Sequence, residues 1–404
     1  MERLQLTRWQ WRIVILGWVT YASFYLGRVN LATALPAIQI DLNFSPDEIS
    51  ALAGATLWTY AIGQLVNGWL GSHVDTRRMV MIGIVGSSIV NLLFATTSSL
   101  PVMLILWLIN GFLQSMGWGP ILRTLSTTLE PTQRQRVAGA FGASYVVGNT
   151  LTWVLTALLL STGQWRLIFV IPPLIMLGIG IAWYFLSVPA APSSKPLPSL
   201  TLATLKALSG ELWHILITAL VAGALINGAL IYAPTFIART LPLDQAALTA
   251  VIFPVFGLLG TAWLSAWILR RFGGNALASL IVLLVLSAAA RALAFILPPT
   301  TISAVILLAG MGITSYALTN ILLTAIPLTS HAHFGTSTVA GLMDATHSIG
   351  GAIGSTLVGL LLARGNWLMV FGVWTLLPII ALGVIALAMR YQAIHRLSQK
   401  EDFA

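Results

Sequence analysis

Long apolar runs recur along the chain, and they constrain its fold more than any other feature. Each run is long enough to cross the hydrocarbon core of a bilayer, which takes about 20 residues of α-helix. In a chain that is 57% hydrophobic and only 8% charged, they predict an all-α membrane protein with 12 transmembrane helices in the lipid bilayer. The runs lie near 11–37, 47–71, 79–97, 100–128, 137–161, 165–187, 213–237, 246–269, 275–297, 300–328, 336–363 and 367–391.

The basic residues predict the orientation of these spans. If the N-terminus is cytoplasmic, the inner segments hold 14 of the 20 basic residues, whereas the outer loops hold Arg166, Arg239 and Arg364. This asymmetry follows the positive-inside rule, so the net charge of +9 indicates topology and no nucleic-acid partner. The opening MERLQLTRWQWR lacks the features of a cleaved signal. We expect a multi-pass protein of the plasma membrane, in particular the bacterial inner membrane, with both termini cytoplasmic.

The two halves of the chain repeat each other. VAGAFGASYVVGNTLTWVLTALLLSTGQW, from Val137, aligns without gaps with VAGLMDATHSIGGAIGSTLVGLLLARGNW, from Val339. The polar segment SVPAAPSSKPLPS separates the halves. The repeat predicts two six-helix bundles, residues 1–188 and 213–404, related by pseudo-two-fold symmetry and joined by a cytoplasmic linker, 189–212. This architecture, with a cavity between the bundles, is typical of transporters, and the glycines of spans five and eleven predict close helix packing.

The segment GSHVDTRR, which ends at Arg78, is similar to the loop between spans two and three of the major facilitator superfamily. In that superfamily an acid and basic residues form an inner gate. The resemblance implies the fold of that superfamily and a cytoplasmic gate made by Asp75 and Arg78. The alternative is a plain cytoplasmic turn whose charges only set topology.

A narrower resemblance covers most of the chain. YASFYLGRVNLATALPAI, TYAIGQLVNGWLGS and GFLQSMGWGPILRT resemble segments of the organophosphate:phosphate antiporter family, which includes glycerol-3-phosphate and hexose-phosphate transporters. It implies that a tyrosine-rich first span presents an arginine to the substrate. The matching substrate-binding positions are Tyr21, Tyr25, Arg28, Tyr60 and Gln114. The glycines and proline of the third segment predict a bent helix beside the substrate path.

Other cavity positions depart from that family. Gln64 stands where some relatives have a lysine, and Tyr145 where the family has a histidine; the seventh span has no arginine, and Asn227 is the nearest polar residue. We therefore expect a single guanidinium, that of Arg28, to bind the anion through bidentate hydrogen bonds. The further positions expected to line the cavity are Gln64, Tyr145, Asn227, Tyr316 and Asn320. The last two could instead form helix–helix hydrogen bonds.

Asp344 is the only acid in the middle of any span, roughly 14 Å into span eleven at 1.5 Å per residue. His347 follows three residues later on the same helix face, and the repeat places it at the position of Tyr145. An intramembrane charge is costly without a partner or a task, and histidine titrates near neutrality, so the pair is predicted to couple transport to protons. Two alternatives are a static bridge between Asp344 and Arg28 or His347, and a contact between Asp344 and a cationic group of the substrate.

These features favour a monomeric secondary transporter of a small organic anion, phosphorylated or carboxylated, coupled to protons or to a counter-anion. A metabolite sensor of the same fold and a proton-driven exporter of cationic or lipophilic compounds are the alternatives. Arg123 and Arg291, toward span ends, are expected to have structural roles. Because the chain has no cysteine, no nucleophile–base arrangement and no metal-ligand cluster, we expect no enzyme, no cofactor and no metal.

Overall fold

A computed structural model describes residues 6–188, 190, 201–237, 239–240, 251–329, 334–362 and 367–401. These residues form helices and the turns between them, and no strand occurs among them. Eleven helical stretches in this part of the chain are long and apolar enough to cross a membrane. Of the predicted linker, residues 189 and 191–200 lie outside the described residues.

The first predicted span, 11–37, is not among those eleven because it is interrupted in its middle. Helix α1 (Arg8–Phe24) is followed by a 3-10 turn (Tyr25–Gly27) and then by α2 (Asn30–Leu42). The two helices have 17 and 13 residues, so neither alone is long enough to span a bilayer, whereas together they are. With this interrupted span included, the fold is the all-α, twelve-span fold predicted from the apolar runs.

The chain forms two compact units. The first comprises Met1–Leu200 with Thr324–Ala345, and the second comprises Thr201–Leu323 with Thr346–Ala404. The boundary between the units therefore falls inside spans ten and eleven. The bundle limits predicted from the sequence, 1–188 and 213–404, stay a prediction.

The first unit continues from α2 with six further helices. Turn chemistry sets several of their starts: Ser45 and Glu48 form a capping box at the start of the third helix, for example. Within this unit, the rings of Phe94, Trp107 and Phe169 pack together with centroids 4.4–5.9 Å apart. The helices are α3 (Pro46–His73), α4 (Thr76–Thr96), α5 (Leu100–Gln114), α6 (Trp118–Thr128), α7 (Pro131–Leu160) and, after the 3-10 turn Trp165–Phe169, α8 (Ile171–Leu186).

The later part of the chain supplies the second unit and the 324–345 segment of the first. Its helices are α9 (Leu202–Ile237), α10 (Ile252–Leu259), α11 (Ser265–Arg271), α12 (Ala276–Ala292), α13 (Thr301–Asn320), α14 (Ile326–Thr329), α15 (Thr336–Leu362) and α16 (Trp367–Glu401). Within the second unit, a side chain at Gly350 would overlap the carbonyl of Leu220. Helices α15 and α9 therefore pack backbone to backbone, which confirms the close packing predicted from the glycines of span eleven.

The fourth span is broken, as the segment GFLQSMGWGPILRT predicts. Helix α5 ends at Gln114 and α6 begins at Trp118. The side-chain amide of Asn67 donates to Ser115 Oγ over 2.6 Å, and a Cβ at Gly117 would lie 2.8 Å from the Phe24 ring. A hydrogen bond and a close ring contact thus stabilise the break. Gln114 is the last residue of α5, so its backbone carbonyl has no partner within that helix.

The first ten residues of α15 belong to the first unit and pack on α3. A side chain at Gly341 would overlap the carbonyl of Gln64 and lie 2.7 Å from Gly68 Cα. Thr338 donates to Ser72 Oγ through its backbone N–H at 3.1 Å and its hydroxyl at 3.0 Å. This contact brings Asp344, three residues after Gly341, beside the polar face of α3.

Candidate functional site

Arg28 lies at the interruption of the first span. Its N–H donates to Tyr25 O over 3.1 Å, which closes the 3-10 turn, and α2 begins two residues later. A break inside a bilayer leaves backbone groups that need new partners. The carbonyl of Gly27 finds them in the side-chain amides of Asn110, at 2.8 Å, and Asn91, at 3.3 Å. These asparagines stabilise the break and so fix the position of the Arg28 backbone.

A closed series of hydrogen bonds links Gly27 to the guanidinium of Arg28. Asn110 donates to Gly27 O and accepts from Ser87 Oγ at 2.6 Å. Ser87 accepts from Gln114 Nε2 at 2.7 Å, and Gln114 Oε1 accepts from Arg28 Nε at 3.3 Å. The three intermediate side chains are 0% exposed. The orientation of Arg28 is therefore set by a buried polar network supplied by α4 and α5.

The guanidinium of Arg28 has a second contact with Gln114 and an aromatic surround. Nη2 donates to the carbonyl of Gln114 over 3.3 Å, at the open end of α5, where the helix dipole is negative. The rings of Tyr60, Tyr25 and Tyr21 lie 4.5, 4.8 and 6.0 Å from its central carbon, distances at which a ring face attracts a cation. No carboxylate in the described part of the chain pairs directly with Arg28. Its positive charge is thus available to an anion.

Asp344 is the acid of the same unit. It is 7% exposed and lies in the part of α15 that packs on α3. Its Oδ2 accepts from Gln64 Nε2 at 2.7 Å and from the hydroxyl of Tyr60 at 3.0 Å. No side chain or backbone group that the structure describes donates to Oδ1. The carboxylate is therefore held by one oxygen.

Tyr60 joins the cation to the acid. Its ring lies over the Arg28 guanidinium and its hydroxyl donates to Asp344. Gln64, one helical turn further along α3, is fully buried beneath the same carboxylate. Of the residues predicted from the sequence, the first unit thus brings together Arg28, Tyr21, Tyr25, Tyr60, Gln64, Gln114 and Asp344.

Two of the predicted positions, His347 in α15 and Asn227 in α9, have hydrogen-bond partners within the second unit. His347 is 8% exposed, and its Nε2 lies 3.3 Å from the hydroxyl of Thr319 in the second unit. Asn227 is half-buried in α9 and donates to the carbonyl of Gly223, one turn back, over 3.1 Å. Tyr145 is half-buried in α7 of the first unit. Their roles in binding or coupling stay a prediction.

The two polar residues of span ten are buried among helices of the second unit. Asn320 is 0% exposed and donates to Ser265 Oγ at 2.8 Å and to Thr261 O at 3.4 Å. The ring of Tyr316, 3% exposed, packs edge-on against Phe253 with centroids 5.6 Å apart. Asn320 thus makes the helix–helix hydrogen bonds that were the alternative to a cavity role, and its part in binding stays a prediction.

Asp75 and Arg78 lie at the start of α4. The Asp75 carboxylate accepts from the backbone N–H groups of Arg77, at 2.9 Å, and Arg78, at 3.3 Å, as an N-cap does. Their guanidinium groups also lie 3.9 and 3.6 Å from it. Asp75 therefore organises its own turn, and a gating role for Asp75 and Arg78 stays a prediction.

Sequence reasoning missed the buried network of Ser87, Asn91 and Asn110. Its signal was present in the sequence as uncharged polar residues at one-turn spacing within apolar spans, such as positions 87 and 91. The two arginines expected to have structural roles do link helices. Arg123 donates to the carbonyls of Gly71 and Val74 at 2.8 and 3.0 Å. Arg291, 0% exposed, joins α12 to α13 through Ser287 and Ser315.

The family of the chain follows from a match to a family model. The model of the Major Facilitator Superfamily matches residues 17–344, which is most of the chain and includes Arg28 and Asp344. The chain belongs to this superfamily. Membership in a superfamily of transporters supports the expectation that the chain is not an enzyme.

Curated relatives narrow the comparison. A probable hexose phosphate transport protein of Chlamydia trachomatis is 28% identical over 180 residues, 45% of this chain and 40% of the relative. The membrane sensor protein UhpC of Salmonella typhimurium is 28% identical over 173 residues, 43% of this chain and 39% of the relative. The chain thus spans about two fifths of the length of these relatives. A glycerol-3-phosphate transporter of Bacillus subtilis is 26% identical over 383 residues, 86% of this chain and 85% of the relative.

A solved structure agrees at the level of the fold. The human organic anion transporter MFSD10 (TETRAN) superposes with a TM-score of 0.74 over 93% of this chain and 99% of that one, at 15% sequence identity. At this identity the likeness concerns the fold alone. The protein is thus a multi-pass member of the superfamily, related to sugar-phosphate and glycerol-3-phosphate transporters.

Proposed function

We propose that this protein is a secondary active transporter that carries a small organic anion, phosphorylated or carboxylated, by alternating access. The observation that carries the proposal is Arg28: a guanidinium at a break inside the first span, oriented by a buried network and paired with no described carboxylate. Such a group offers bidentate hydrogen bonds to two oxygens of one anion. The fold positions and orients this charge before the substrate arrives, so binding does not have to order it.

Protons are the proposed coupling ion, with Asp344 and His347 as the residues that exchange them. The groups in contact with Asp344 are Tyr60 and Gln64 from α3, and the ring of Tyr60 also contacts Arg28. His347 follows three positions later in the sequence of the same helix. A carboxylate whose surroundings differ between two conformations binds a proton more tightly in one of them, and this difference couples the proton to the conformational change. A counter-anion bound at Arg28 on the return step is the alternative coupling species.

The phosphorylated class draws support from the names of the relatives, which include transporters of hexose phosphate and of glycerol-3-phosphate. The carboxylated class draws support from the single arginine: a monoanionic carboxylate is matched by one guanidinium fork. In the described parts of α9 no second arginine accompanies Arg28. Phosphorylated and carboxylated anions would both bind through two N–H groups of the Arg28 guanidinium, so the two classes belong to one proposal.

A metabolite sensor of the same fold is the second candidate function. It is favoured by one observation, the similarity to the membrane sensor protein UhpC of Salmonella typhimurium. A sensor would use the Arg28 site to bind its ligand, without moving it across the bilayer. The two functions therefore differ in flux and not in ligand chemistry.

The proposed setting follows the predicted topology. We place the protein in the plasma membrane, specifically the inner membrane of a bacterium, as a monomer with cytoplasmic termini. Large apolar side chains such as Phe185, 75% exposed, and Ile40, 84% exposed, then face lipid. Reaction of single cysteines introduced at positions 136 and 166 of this cysteine-free chain with an impermeant maleimide on intact cells tests the orientation. Labelling at 166 alone is the expected result.

The binding experiment screens purified protein by thermal shift against sugar phosphates, alkyl phosphonates, mono- and dicarboxylates and organic cations. We expect at least one anion to stabilise the wild type and to lose its effect in Arg28→Ala and in Arg28→Lys, which keeps the charge but not the fork. Arg166→Ala, at an exposed arginine that pairs with Asp41 at 3.7 Å, is the control and should keep the shift. Stabilisation by cations alone, independent of Arg28, would support the exporter instead.

Flux separates the transporter from the sensor. The anion found in the screen is radiolabelled, and its counterflow is measured in proteoliposomes with wild type and Arg28→Ala. Accumulation with wild type and none with the variant is the expected result. Tight binding with no counterflow would support the sensor and refute the transporter.

A further inference from the structure

The first unit holds one cation and one acid at the same place, separated by a single side chain. The ring of Tyr60 lies 4.5 Å from the central carbon of Arg28, and its hydroxyl lies 3.0 Å from Asp344 Oδ2. The two charges do not form a direct ion pair among the described residues. Tyr60 therefore contacts both charged groups, which leaves each of them able to meet a group of the substrate.

Asp344 is incompletely satisfied for a buried acid. Both of its protein donors, Gln64 Nε2 and the Tyr60 hydroxyl, go to Oδ2, and no described group donates to Oδ1. Both donors are uncharged, so the negative charge has hydrogen bonds but no cation in contact. A charge inside a bilayer is expensive unless it is paired.

Arg28 has the complementary deficiency. Its hydrogen bonds in the described structure go to Gln114 and to the hydroxyl of Tyr21, both of which are neutral. Three tyrosine rings cover it without neutralising it. An anion bound at Arg28 would satisfy this charge but would add negative charge one phenol away from Asp344, which repels it.

A substrate that carries its own cation removes this conflict. We propose that the transported anion is a zwitterion with a primary amino group, such as an aminoalkyl phosphate, an aminoalkyl phosphonate or an amino acid. The inference rests on the proposed function, since its anionic group binds at Arg28. The ammonium group donates to Asp344 Oδ1, and the faces of the neighbouring tyrosine rings favour a cation there.

This assignment makes the proton and the amino group competitors for one carboxylate. Protonation of Asp344 removes the charge that holds the ammonium group, and arrival of the ammonium group disfavours the proton. Substrate binding and proton release are then linked by one residue, as reciprocal coupling requires. Tyr60 and Gln64, the other groups on this carboxylate, are uncharged in both steps, and Arg28 stays cationic.

The test compares matched ligands that differ only in the amino group. Dissociation constants are measured by isothermal titration calorimetry on the purified full-length protein for three pairs: phosphoethanolamine and ethyl phosphate, 3-aminopropylphosphonate and propylphosphonate, and β-alanine and propionate. For at least one pair, the aminated member should bind about tenfold more tightly or better, the value of one charge-assisted hydrogen bond. This comparison needs no variant, so it does not depend on how a mutant folds.

Variants then assign the preference to its residue. Asp344→Asn, which keeps the shape of the side chain, should abolish the preference and raise the affinity of the des-amino anion, because the repelling charge is removed. Arg28→Lys should weaken both members of a pair. Asp41→Asn, at an acid outside this site that accepts from Trp165 Nε1 at 2.9 Å, is the control and should keep the preference.

The outcomes separate the two proposals. A des-amino anion that binds as tightly as its aminated partner, or a preference that survives in Asp344→Asn, overturns the inference and leaves the proposed function standing. Failure of every ligand of both kinds to bind overturns the inference together with the anion site on which it rests. Binding of a simple alkylamine with no need for an anionic group overturns both in favour of a cation carrier.

Discussion

Tyr60 donates its hydroxyl to Oδ2 of Asp344 over 3.0 Å. The residue is 9% exposed, so this bond forms out of contact with bulk water, where it is stronger. The ring of the same residue lies over Arg28. One side chain thus contacts the cation with its face and the acid with its hydroxyl, and the two contacts can be removed separately by mutation.

Tyr60→Phe and Tyr60→Leu should differ in anion affinity. Phenylalanine keeps the ring face over Arg28, so we expect the affinity of the anion found in the screen to change by less than about twofold. Leucine removes the cation–π contact, worth about 0.5–2 kcal/mol, and should weaken binding by about threefold or more because Gln114 then holds the guanidinium without the support of this ring. Titration calorimetry on both variants checks this, and equal losses would show that the hydroxyl carries the effect.

Ser87→Ala and Ser88→Ala form a matched pair. Both serines are buried neighbours in α4, but Ser87 accepts from Gln114, whereas Ser88 donates to the carbonyl of Pro173 at 3.0 Å. Each substitution should lower stability by about 1–3 kcal/mol through a lost buried hydrogen bond. Only Ser87→Ala should also weaken anion binding, since it frees Gln114 and with it Arg28. Equal anion affinity in the two variants would refute a positioning role for the network.

Transport by Asp344→Asn should no longer respond to an imposed pH gradient. The amide cannot exchange a proton, so uptake into proteoliposomes is expected to be the same with and without a gradient of either polarity. The wild type and the control Asp41→Asn should both respond. A gradient response that survives in Asp344→Asn would move the coupling to His347 or to a counter-anion.

Gly341→Ala should destabilise the protein, and Gly383→Ala should not. A Cβ at position 341 would overlap the carbonyl of Gln64, while a Cβ at position 383 meets nothing within 4 Å. Overpacking of this kind costs about 1–3 kcal/mol, which should appear as a lower melting temperature of the purified protein. Because Gln64 also holds Asp344, the proton response should weaken as well. An unchanged melting temperature would contradict the close contact between α15 and α3.

The sequence predicts the helical fold well because the bilayer admits few alternatives. Apolar runs of sufficient length must become helices inside a bilayer. Eleven of the twelve predicted runs form helical stretches that are long and apolar enough to cross a membrane. The first span is not counted among them because its helix breaks just before Arg28. The length of the apolar run does not predict this break. The break depends on Asn91 and Asn110, which are distant in sequence.

Site partners were harder to predict than site residues. Tyr21, Tyr25, Tyr60 and Arg28 come from the family resemblance and do lie together. The contact of Gln64 and Tyr60 with Asp344 joins residues 280 and 284 positions apart. Such a pairing depends on how α15 packs on α3, which no local pattern encodes.

The buried series from Gly27 through Asn110, Ser87 and Gln114 has a consequence for how such a protein can be re-engineered. The side chains of this series are distinct from the tyrosines, which contact the same guanidinium through their rings. A library that randomises positions 21, 25 and 60 should therefore yield many carriers with altered cargo and an intact charge at residue 28. Randomising 87, 110 and 114 should mostly yield inactive chains. The choice of substrate and the positioning of Arg28 therefore depend on separate sets of residues.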